Sequence, residues 1–362
     1  MRIVQLLPEL NEGGVERGTV ELNREFVVLG HESVVISRGG TLAAQIEADG
    51  GRHITLDVCG KNPLNALSRM WRLRSVLRDV APDLLHARSR VPAWLTWLAN
   101  RPLRIPFVTT VHGFNSVSPY SRVMTFGDRV ICVSNAIRDY IIAHYGTDRA
   151  KIRVVPRGVD LKHFNPERLD EGFIEAFREE HGLAGKLVLT SVGRITQLKD
   201  YETFIRAVGA LKTQFPNAVG LIVGGVRDDK RAYAESLKAL ARSLDLEQAI
   251  RFTGSQSRIA EIYSLSDVIV SASKKPESFG RSVAEALALG TPVVATDHGG
   301  VRDIILEGIN GAFFPIGDVE ALADRIVRVL PYRFDGYAYI GEHFSLQKML
   351  NSTLEIYKEL VN

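Results

Sequence analysis

Two glutamates eight positions apart, Glu277 and Glu285, are the residues whose types and spacing most clearly indicate chemistry. A short turn, residues 278–280, separates the first from an apolar run that ends at Gly290. If that run is helical, the two carboxylates are separated by about 12 Å of helix rise, too far to share a proton. The spacing suits an elongated ligand lying across a helix N-terminus, where unpaired N–H groups and the helix dipole bind anions.

A nucleotide-sugar has this layout, with sugar hydroxyls at one end, a diphosphate in the middle and a ribose diol at the other end. Glu277 would bind the sugar hydroxyls and Glu285 the diol. Most glutamates at this spacing are solvated charges on a helix surface. Glu285, however, is followed by Ala-Leu-Ala-Leu, and a carboxylate among apolar neighbours requires a partner, which favours the functional interpretation.

The elements that must position these residues are short apolar strands that alternate with helical segments. This alternation predicts an α/β fold with parallel sheets and right-handed crossovers. The length of 362 residues and the hydrophobic content of 45% predict two domains. A proline before a charged helix places their connection near residues 164–166.

Two strand ends in the first half carry residues suited to ligand binding. Gly13-Gly14 follow the first predicted strand, where a missing Cβ lets backbone approach a phosphate, although a plain tight turn is the simpler explanation of a glycine pair alone. His112-Gly113 end another strand, at the edge where open parallel sheets bind ligands. A lone histidine is more often structural, so its position at a strand end makes His112 only a candidate ligand-binding residue.

The block at residues 276–300 resembles the E-x7-E signature of the retaining glycosyltransferases of family four. The similarity continues at Gly193, Arg194 and Lys199, which match the G-R-x-x-x-x-K motif of that family and follow the predicted strand 187–192. It extends along nearly the whole chain.

This resemblance implies the GT-B fold, α/β with two facing Rossmann-like domains and a deep interdomain cleft. Residues 1–164 would form the acceptor-side domain and residues 165–344 the domain that binds the nucleotide-sugar donor. The C-terminal helix, residues 345–362, would pack back on the first domain.

The resemblance also assigns roles to residues that match the motifs. The residues implied in catalysis are His112, Arg194, Lys199 and Glu277. The residues implied in donor binding are Gly13, Gly14, Gly193, Gly254, Phe279, Gly280, Arg281, Ser282, Glu285, Gly299 and Gly300. Glu16 and Arg17, in the segment GGVER, are implied on the acceptor side. The cations would neutralise the diphosphate, Glu277 would hold sugar hydroxyls, and His112 would lie near the donor sugar.

Two positions depart from the family's pattern. Arg157 stands where the family usually has asparagine, and its role is open. Asp200 stands where glycine is more common; aspartate is an acceptable helix start.

No metal or other cofactor is expected. Asp228-Asp229 are followed by Lys230-Arg231, which is typical of a helix start with ion pairs, and the chain has no D-x-D element like the manganese anchor of the other glycosyltransferase architecture. The two cysteines, Cys59 and Cys132, provide neither a disulfide framework nor a metal cluster.

Residues 61–104 are strongly basic. The segment contains three tryptophans and nine cations against two acids: Trp71, Trp94, Trp97, Lys61, Arg69, Arg72, Arg74, Arg78, Arg88, Arg90, Arg101, Arg104, Asp79 and Asp83. Such a segment suits peripheral contact with an anionic membrane or, equally, a solvated basic face whose tryptophans are core. Nucleic acid is not expected, because no nucleic-acid-binding signature accompanies the charge.

The chain is therefore expected to be a retaining glycosyltransferase that moves a hexose-type sugar from a nucleotide-diphosphate sugar to a hydroxyl of a glycan or lipid-linked acceptor, as in synthesis of bacterial envelope polysaccharide or lipopolysaccharide. A cytoplasmic location is expected, since there is neither a signal peptide nor a long apolar stretch. The alternatives are a non-hydrolysing nucleotide-sugar epimerase and an inactive nucleotide-sugar-binding or membrane scaffold protein. A hydride-transferring enzyme is less favoured, because GGVER replaces G-x-G-x-x-G.

Overall fold

The structure, a computed structural model, describes residues 1–11, 13–60, 62 and 65–361. The chain divides into two compact units. Unit 1 is Met1–Gly158 together with the last helix, and unit 2 is Val159–Ser345. Each contains a parallel sheet with interleaved helices, so the predicted α/β fold is confirmed.

Unit 1 contains a seven-stranded sheet in the order β3-β2-β1-β4-β5-β6-β7, and unit 2 a six-stranded sheet in the order β10-β9-β8-β11-β12-β13. The strands of unit 1 are β1 (Arg2–Leu6), β2 (Glu32–Ser37), β3 (Arg52–Thr55), β4 (Leu84–Ala87), β5 (Phe107–Val111), β6 (Arg129–Cys132) and β7 (Ile152–Val154). Those of unit 2 are β8 (Leu187–Val192), β9 (Ala218–Val223), β10 (Ile250–Gly254), β11 (Val268–Ser271), β12 (Val293–Thr296) and β13 (Gly311–Phe314).

Helices connect these strands. In chain order they are α1 (Gly14–Val28), α2 (Ala43–Ala48), α3 (Ala66–Val80), α4 (Arg90–Asn100), α5 (Asn135–Tyr145), α6 (Glu171–Glu180), α7 (Tyr201–Leu211), α8 (Arg231–Ser243), α9 (Ile259–Leu265), α10 (Arg281–Ala288), α11 (Val319–Val329), α12 (Gly336–Phe344) and α13 (Leu346–Val361). Several begin at the side-chain caps that the sequence provides, among them Ser134, Asp170 and Asp318.

Strands β5 (FVTTV) and β9 (AVGLIV) are buried along their whole length. Parallel strands covered on both faces read as continuous apolar runs, which is why the sequence predicts them well. The strand order reverses between β1 and β4 in unit 1 and between β8 and β11 in unit 2. Ligands of open parallel sheets bind outside the carboxyl ends of strands at such points.

Helix α13 completes the core of unit 1. Its residues Leu350 and Tyr357 are fully buried and share a hydrophobic cluster with Ile3 and Phe26. The Tyr357 hydroxyl lies 2.5 Å from Nδ1 of His86. The first half of the chain therefore packs with a segment that follows unit 2 in sequence.

The division between the units lies several residues before the expected boundary at residue 164. Val159 forms a bridge with Ser345, and Phe164 is buried in a cluster of unit 2 that contains Phe279 and Val283. Residues 159–164 therefore pack with unit 2, because their apolar side chains are buried there.

His86 should make the stability of the protein depend on pH. The ring is buried between the Tyr357 hydroxyl and the Thr110 hydroxyl, and burial lowers its pKa well below the ordinary value. The unfolded chain binds a proton near pH 6.5, so the contribution is complete above that pH and is lost as the pH falls. Between pH 7 and pH 5 the free energy of unfolding should decrease by about 2 kcal/mol from this group.

Urea unfolding at pH 7 and pH 5 checks this expectation. The His86→Gln variant should lose about 2 kcal/mol less than the unmodified chain over that interval. His343→Gln, which changes a histidine with a 48% exposed side chain, is the matched control. Equal losses in the His86→Gln variant and the unmodified chain would contradict the assignment.

Candidate functional site

Lys199 and Glu277 form the centre of the candidate site in unit 2. Nζ of Lys199 lies 2.6 Å from Oε1 of Glu277, and Oγ of Ser273 donates a hydrogen bond to the same oxygen at 2.7 Å. Burial alone would raise the pKa of Glu277, but the Lys199 charge and the two hydrogen bonds together lower it. The carboxylate is therefore ionised at neutral pH, and Oε2 accepts no hydrogen bond from any described residue.

The loop after β8 brings Lys199 to this position. Gly193 has φ +153°, and a Cβ there would lie 2.8 Å from Cε of Lys199. The Gly193 carbonyl accepts a hydrogen bond from the Tyr201 hydroxyl at 2.6 Å, which fixes the start of the loop. Glycine at this position therefore leaves room for the Lys199 side chain.

Asp200 begins helix α7 in a left-handed conformation, with φ +50°. This backbone favours glycine, the residue common there in the family that the sequence resembles. Aspartate compensates by capping the helix: its carboxylate accepts from the Thr203 hydroxyl at 2.8 Å and pairs with Lys274 at 3.1 Å. The departure from the pattern thus keeps the backbone geometry.

Arg194 lies in the same loop, directly after Gly193. Its side chain is exposed, and within the described ranges its guanidinium has neither a hydrogen-bond nor an ion-pair partner. Arg194 is thus an available cation on the segment that also carries Lys199.

Helix α10 begins at Arg281, four residues after Glu277, and has no side-chain cap. Its N-cap residue, Gly280, has φ +105°, and a Cβ there would lie 2.6 Å from Cγ1 of Val301. Arg281 and Ser282 form the first turn. The uncapped N–H groups of that turn can bind an anion.

Glu285 lies one turn further along α10 and is only 8% exposed. Oε1 accepts from Nε of Arg281 at 2.7 Å, and Oε2 accepts from the Tyr263 hydroxyl at 3.2 Å. Burial and the nearby Glu285 charge raise the pKa of Tyr263 well above its ordinary value, so the hydroxyl stays a donor. The carboxylate is thus held in place by these two donors, and a carboxylate can accept several hydrogen bonds at once, including those of a ligand diol.

Gly299 and Gly300 support the Glu277 loop from behind. Gly299 has φ +75°, and a Cβ there would overlap the backbone of Glu277. A Cβ on Gly300 would lie 2.7 Å from Cα of Phe279, and the Gly300 N–H donates to the Glu277 carbonyl at 2.7 Å. The glycine pair is therefore needed for two loops to pack backbone to backbone.

Gly254 ends β10 in a left-handed conformation, with φ +73°. Its carbonyl accepts from the Gly224 N–H at 2.8 Å, and the Gly225 carbonyl accepts from the Ile195 N–H at 3.1 Å. Backbone hydrogen bonds thus join the loops after β8, β9 and β10, and the side of Gly254 where a Cβ would stand is open.

His112 lies in unit 1 beside a cavity of about 290 Å³, at the carboxyl ends of β4 and β5. Nη2 of Arg157 lies 3.3 Å from Nδ1 of His112. Because arginine only donates, Nδ1 must be the acceptor, and Nε2 carries the hydrogen of the neutral ring. Burial and the neighbouring Arg157 charge lower the pKa of His112 well below its ordinary value. Nε2 is buried, and no described residue accepts its hydrogen.

The first glycine pair makes room for two side chains of unit 1. A Cβ on Gly14 would lie 2.6 Å from Nη1 of Arg157, and one on Gly13 would overlap the Glu16 carboxylate. Glu16 lines the cavity beside His112, whereas Arg17 is exposed and is not part of its lining. The structure thus separates the two acceptor-side candidates and shows that Arg157 orients His112.

Sequence reasoning missed Ser273, Tyr263 and His298. Nε2 of His298 donates to the Ser273 carbonyl at 2.8 Å, and its buried Nδ1 has no partner within the described residues. Ser273 and His298 are the second residues after the ends of β11 and β12. Their position at strand ends is the signal that could have identified them.

The basic segment 61–104 is divided by the structure. Trp94 packs edge to face on Trp97 and on Phe126, and Trp97 packs at a tilt against Phe126. Both tryptophans therefore pack against the core of unit 1. Trp71 is 56% exposed and lies on α3 beside Leu67, which is 68% exposed. Lys61 lies outside the described residues.

Across the described residues no helix has the length and apolar character of a membrane span. Nor does any group of three or more His, Cys, Asp or Glu side chains, in the part of the chain that the structure describes, have an arrangement that could hold a metal ion.

Comparison with known proteins agrees with this architecture. The family described as Glycosyl transferases group 1 matches residues 173–335, and Glycosyltransferase Family 4 matches residues 12–163. The D-inositol 3-phosphate glycosyltransferase of Actinosynnema mirum is 32% identical over 271 residues, which is 68% of this chain and 64% of the relative. The chain therefore spans somewhat less than two thirds of that relative.

Solved structures cover the whole chain. A glycosyltransferase from Rickettsia africae has a TM-score of 0.92 and 31% identity, covering 100% of this chain and 98% of its own. Anabaena HepE in complex with UDP has a TM-score of 0.87 and 20% identity, covering 99% and 100%. With its two parallel sheets and its matches to both family descriptions, the chain belongs to the group 1, family-four glycosyltransferases of the GT-B fold.

Proposed function

We propose that this chain is a retaining, metal-independent hexosyltransferase that uses a nucleotide-diphosphate sugar as donor. The single observation that carries the proposal is the Lys199–Glu277 pair, at 2.6 Å, in the sheet edge that also presents Arg194 and the uncapped start of α10. A cation, a fixed carboxylate and a helix N-terminus on adjacent loops suit a diphosphate joined to a sugar. The UDP held by the Anabaena neighbour supports a nucleoside diphosphate.

In the proposed mechanism, charge stabilisation assists departure of the diphosphate. Arg194, Lys199 and the N–H groups of α10 bind the leaving oxygen atoms, an effect that is strong where the donors are fixed in advance. The acceptor hydroxyl attacks from the face that the diphosphate leaves, through an oxocarbenium-like state, and its proton passes to the leaving phosphate. Glu277 holds sugar hydroxyls, and Glu285 holds the ribose diol.

In unit 1, His112 and Glu16 line the cavity proposed for the acceptor. The acceptor class expected from the sequence is a glycan or lipid-linked hydroxyl, and exposed Leu67 and Trp71 on basic α3 support delivery from an anionic membrane. The relative from Actinosynnema is a D-inositol 3-phosphate glycosyltransferase, which adds a phosphorylated cyclitol to the acceptor classes to be tested.

Incubation with a panel of nucleotide-diphosphate sugars, in chelator and with or without acceptors, tests the function. We expect nucleoside diphosphate release and a product that keeps the anomeric configuration of the donor, read by NMR. The acceptors are inositol 3-phosphate and a lipid-linked glycan in anionic vesicles. An isomerised donor without acceptor would instead identify an epimerase, and donor binding without turnover a sensor.

A further inference from the structure

Arg88 is a buried cation for which the described residues provide no ion pair. The residue is 5% exposed, Nη1 donates to the Gln5 amide oxygen at 3.0 Å, and Nε has no acceptor. Burial lowers the pKa of Arg88 to about 10, and the neighbouring Tyr357, Glu21 and Glu16 partly offset this effect. The side chain is therefore still charged at neutral pH. A buried charge is costly unless it is paired, so binding of an anion would stabilise this arrangement.

Arg88 lines the 290 Å³ cavity of unit 1, and Arg90 lines it too. Nη1 of Arg90 donates to the Ser121 hydroxyl at 3.2 Å, and its guanidinium lies 5.5 Å above the Tyr120 ring. Within the ranges described, no carboxylate pairs with Arg90 either. Two cations thus adjoin one cavity, and among the described residues neither forms an ion pair with Glu16, the carboxylate of its lining.

The N-terminus of helix α4, the positive end of its dipole, lies in the lining of the same cavity. The helix begins at Arg90 and runs for eleven residues, and its N-cap residue Ser89, which lines the cavity, makes no side-chain capping bond. The N–H groups and dipole at such an end attract anions. The buried Nε2–H of His112, which lacks an acceptor among the described side chains and backbone, is an independent donor at the same cavity.

We propose that this cavity binds the phosphate group of the acceptor, through Arg88, Arg90 and the start of α4. Glu16, the carboxylate of the cavity lining, is left to accept hydrogen bonds from acceptor hydroxyls. The volume lies at the lower end of the range for small-molecule sites, which suits a small phosphorylated polyhydroxy compound. Identification of the bound molecule as the acceptor rests on the proposed function, whereas the binding of phosphate in this cavity does not.

Titration of the full chain with inorganic phosphate, without donor, tests the site. The readout is the imidazole ¹⁵N–H signal of His112 in protein labelled at histidine, assigned by its loss in His112→Gln. We expect a saturable shift, and in Arg90→Gln a dissociation constant at least about tenfold higher, which corresponds to about 1.4 kcal/mol. Arg72→Gln, which changes an exposed arginine of α3, is the matched control and should leave the dissociation constant unchanged.

Arg194→Gln separates this site from the diphosphate site of unit 2. The His112 shift should persist in that variant. No saturable shift, or a shift lost in Arg194→Gln and kept in Arg90→Gln, would overturn the proposal. If phosphate binds as expected but no sugar is transferred, the proposed function is wrong and the phosphate site is supported. If sugar is transferred but phosphate does not bind, only the phosphate site is wrong.

Glycerol 3-phosphate and vesicles of phosphatidic acid distinguish the sources of the phosphate. A shift of the His112 signal with glycerol 3-phosphate alone supports a soluble acceptor. A shift only with vesicles would overturn the small soluble ligand proposed here.

Discussion

The Arg194→Ala/Lys199→Ala variant is expected to lose at least about 10³-fold in kcat with little change in fold. Removing one preorganised donor to a developing oxyanion typically costs about 10² to 10³ in rate, and this change removes two cations from the leaving diphosphate. Lys199 also holds the Glu277 carboxylate at 2.6 Å, so its loss frees the group that is proposed to hold the sugar. Steady-state kinetics at saturating donor measure the effect.

Lys238→Ala is the control for this variant. It removes a lysine whose ion pair with Glu235, at 2.8 Å, lies on the exposed surface of α8, where such pairs contribute little. Its kcat should match that of the unmodified chain. If kcat of the double variant lies within about tenfold of the control value, Arg194 and Lys199 do not stabilise the transition state as proposed.

The second large effect is expected from Glu285→Ala, which should weaken donor binding by about two orders of magnitude. Two lost hydrogen bonds to a charged group, at about 1.5 kcal/mol each, account for this size. Saturating donor should largely restore kcat, because the ribose diol is remote from the reacting carbon. Isothermal titration with the donor and initial-rate kinetics give the two quantities separately.

Tyr263→Phe distinguishes ligand binding from packing in that experiment. It removes the hydrogen bond to Oε2 of Glu285, at 3.2 Å, but keeps the carboxylate and its bond from Arg281. Glu285→Ala leaves the Tyr263 hydroxyl buried without this acceptor, at a cost of about 1 to 3 kcal/mol in unfolding free energy. If Tyr263→Phe weakens donor binding as much as Glu285→Ala does, the carboxylate acts only through structure.

The sequence predicts most of the fold because buried parallel strands carry their own signal. The alternation of apolar runs with helical segments predicts both sheets, and β8 at Leu187–Val192 has the expected bounds. Strand β13 is not predicted, since the four residues Gly311–Phe314 are too short a run to distinguish from a helix segment. The strand ends that carry Gly193 and Gly299 follow from the same alternation.

The contacts inside the candidate site could not be predicted from the sequence, because they join residues that are far apart along the chain. Lys199 and Glu277 are 78 positions apart, and Arg157 and His112 are 45 apart. Motif spacing gives the types of these residues but not their partners. The burial of Arg88 could not be predicted from the sequence either, because a basic segment with tryptophans is equally typical of a solvated surface and of a membrane-binding one.

The packing of α13 has a consequence for the order in which the protein forms during synthesis. Unit 1 consists of two stretches of chain with all of unit 2 between them. During synthesis, Val159–Ser345 therefore leaves the ribosome before α13 does. At that stage Ile3 and Phe26 of unit 1 still lack their packing partners Leu350 and Tyr357. Domains usually form from the amino end first. In this chain unit 2 can fold first, whereas unit 1 keeps an apolar surface exposed to water until α13 emerges.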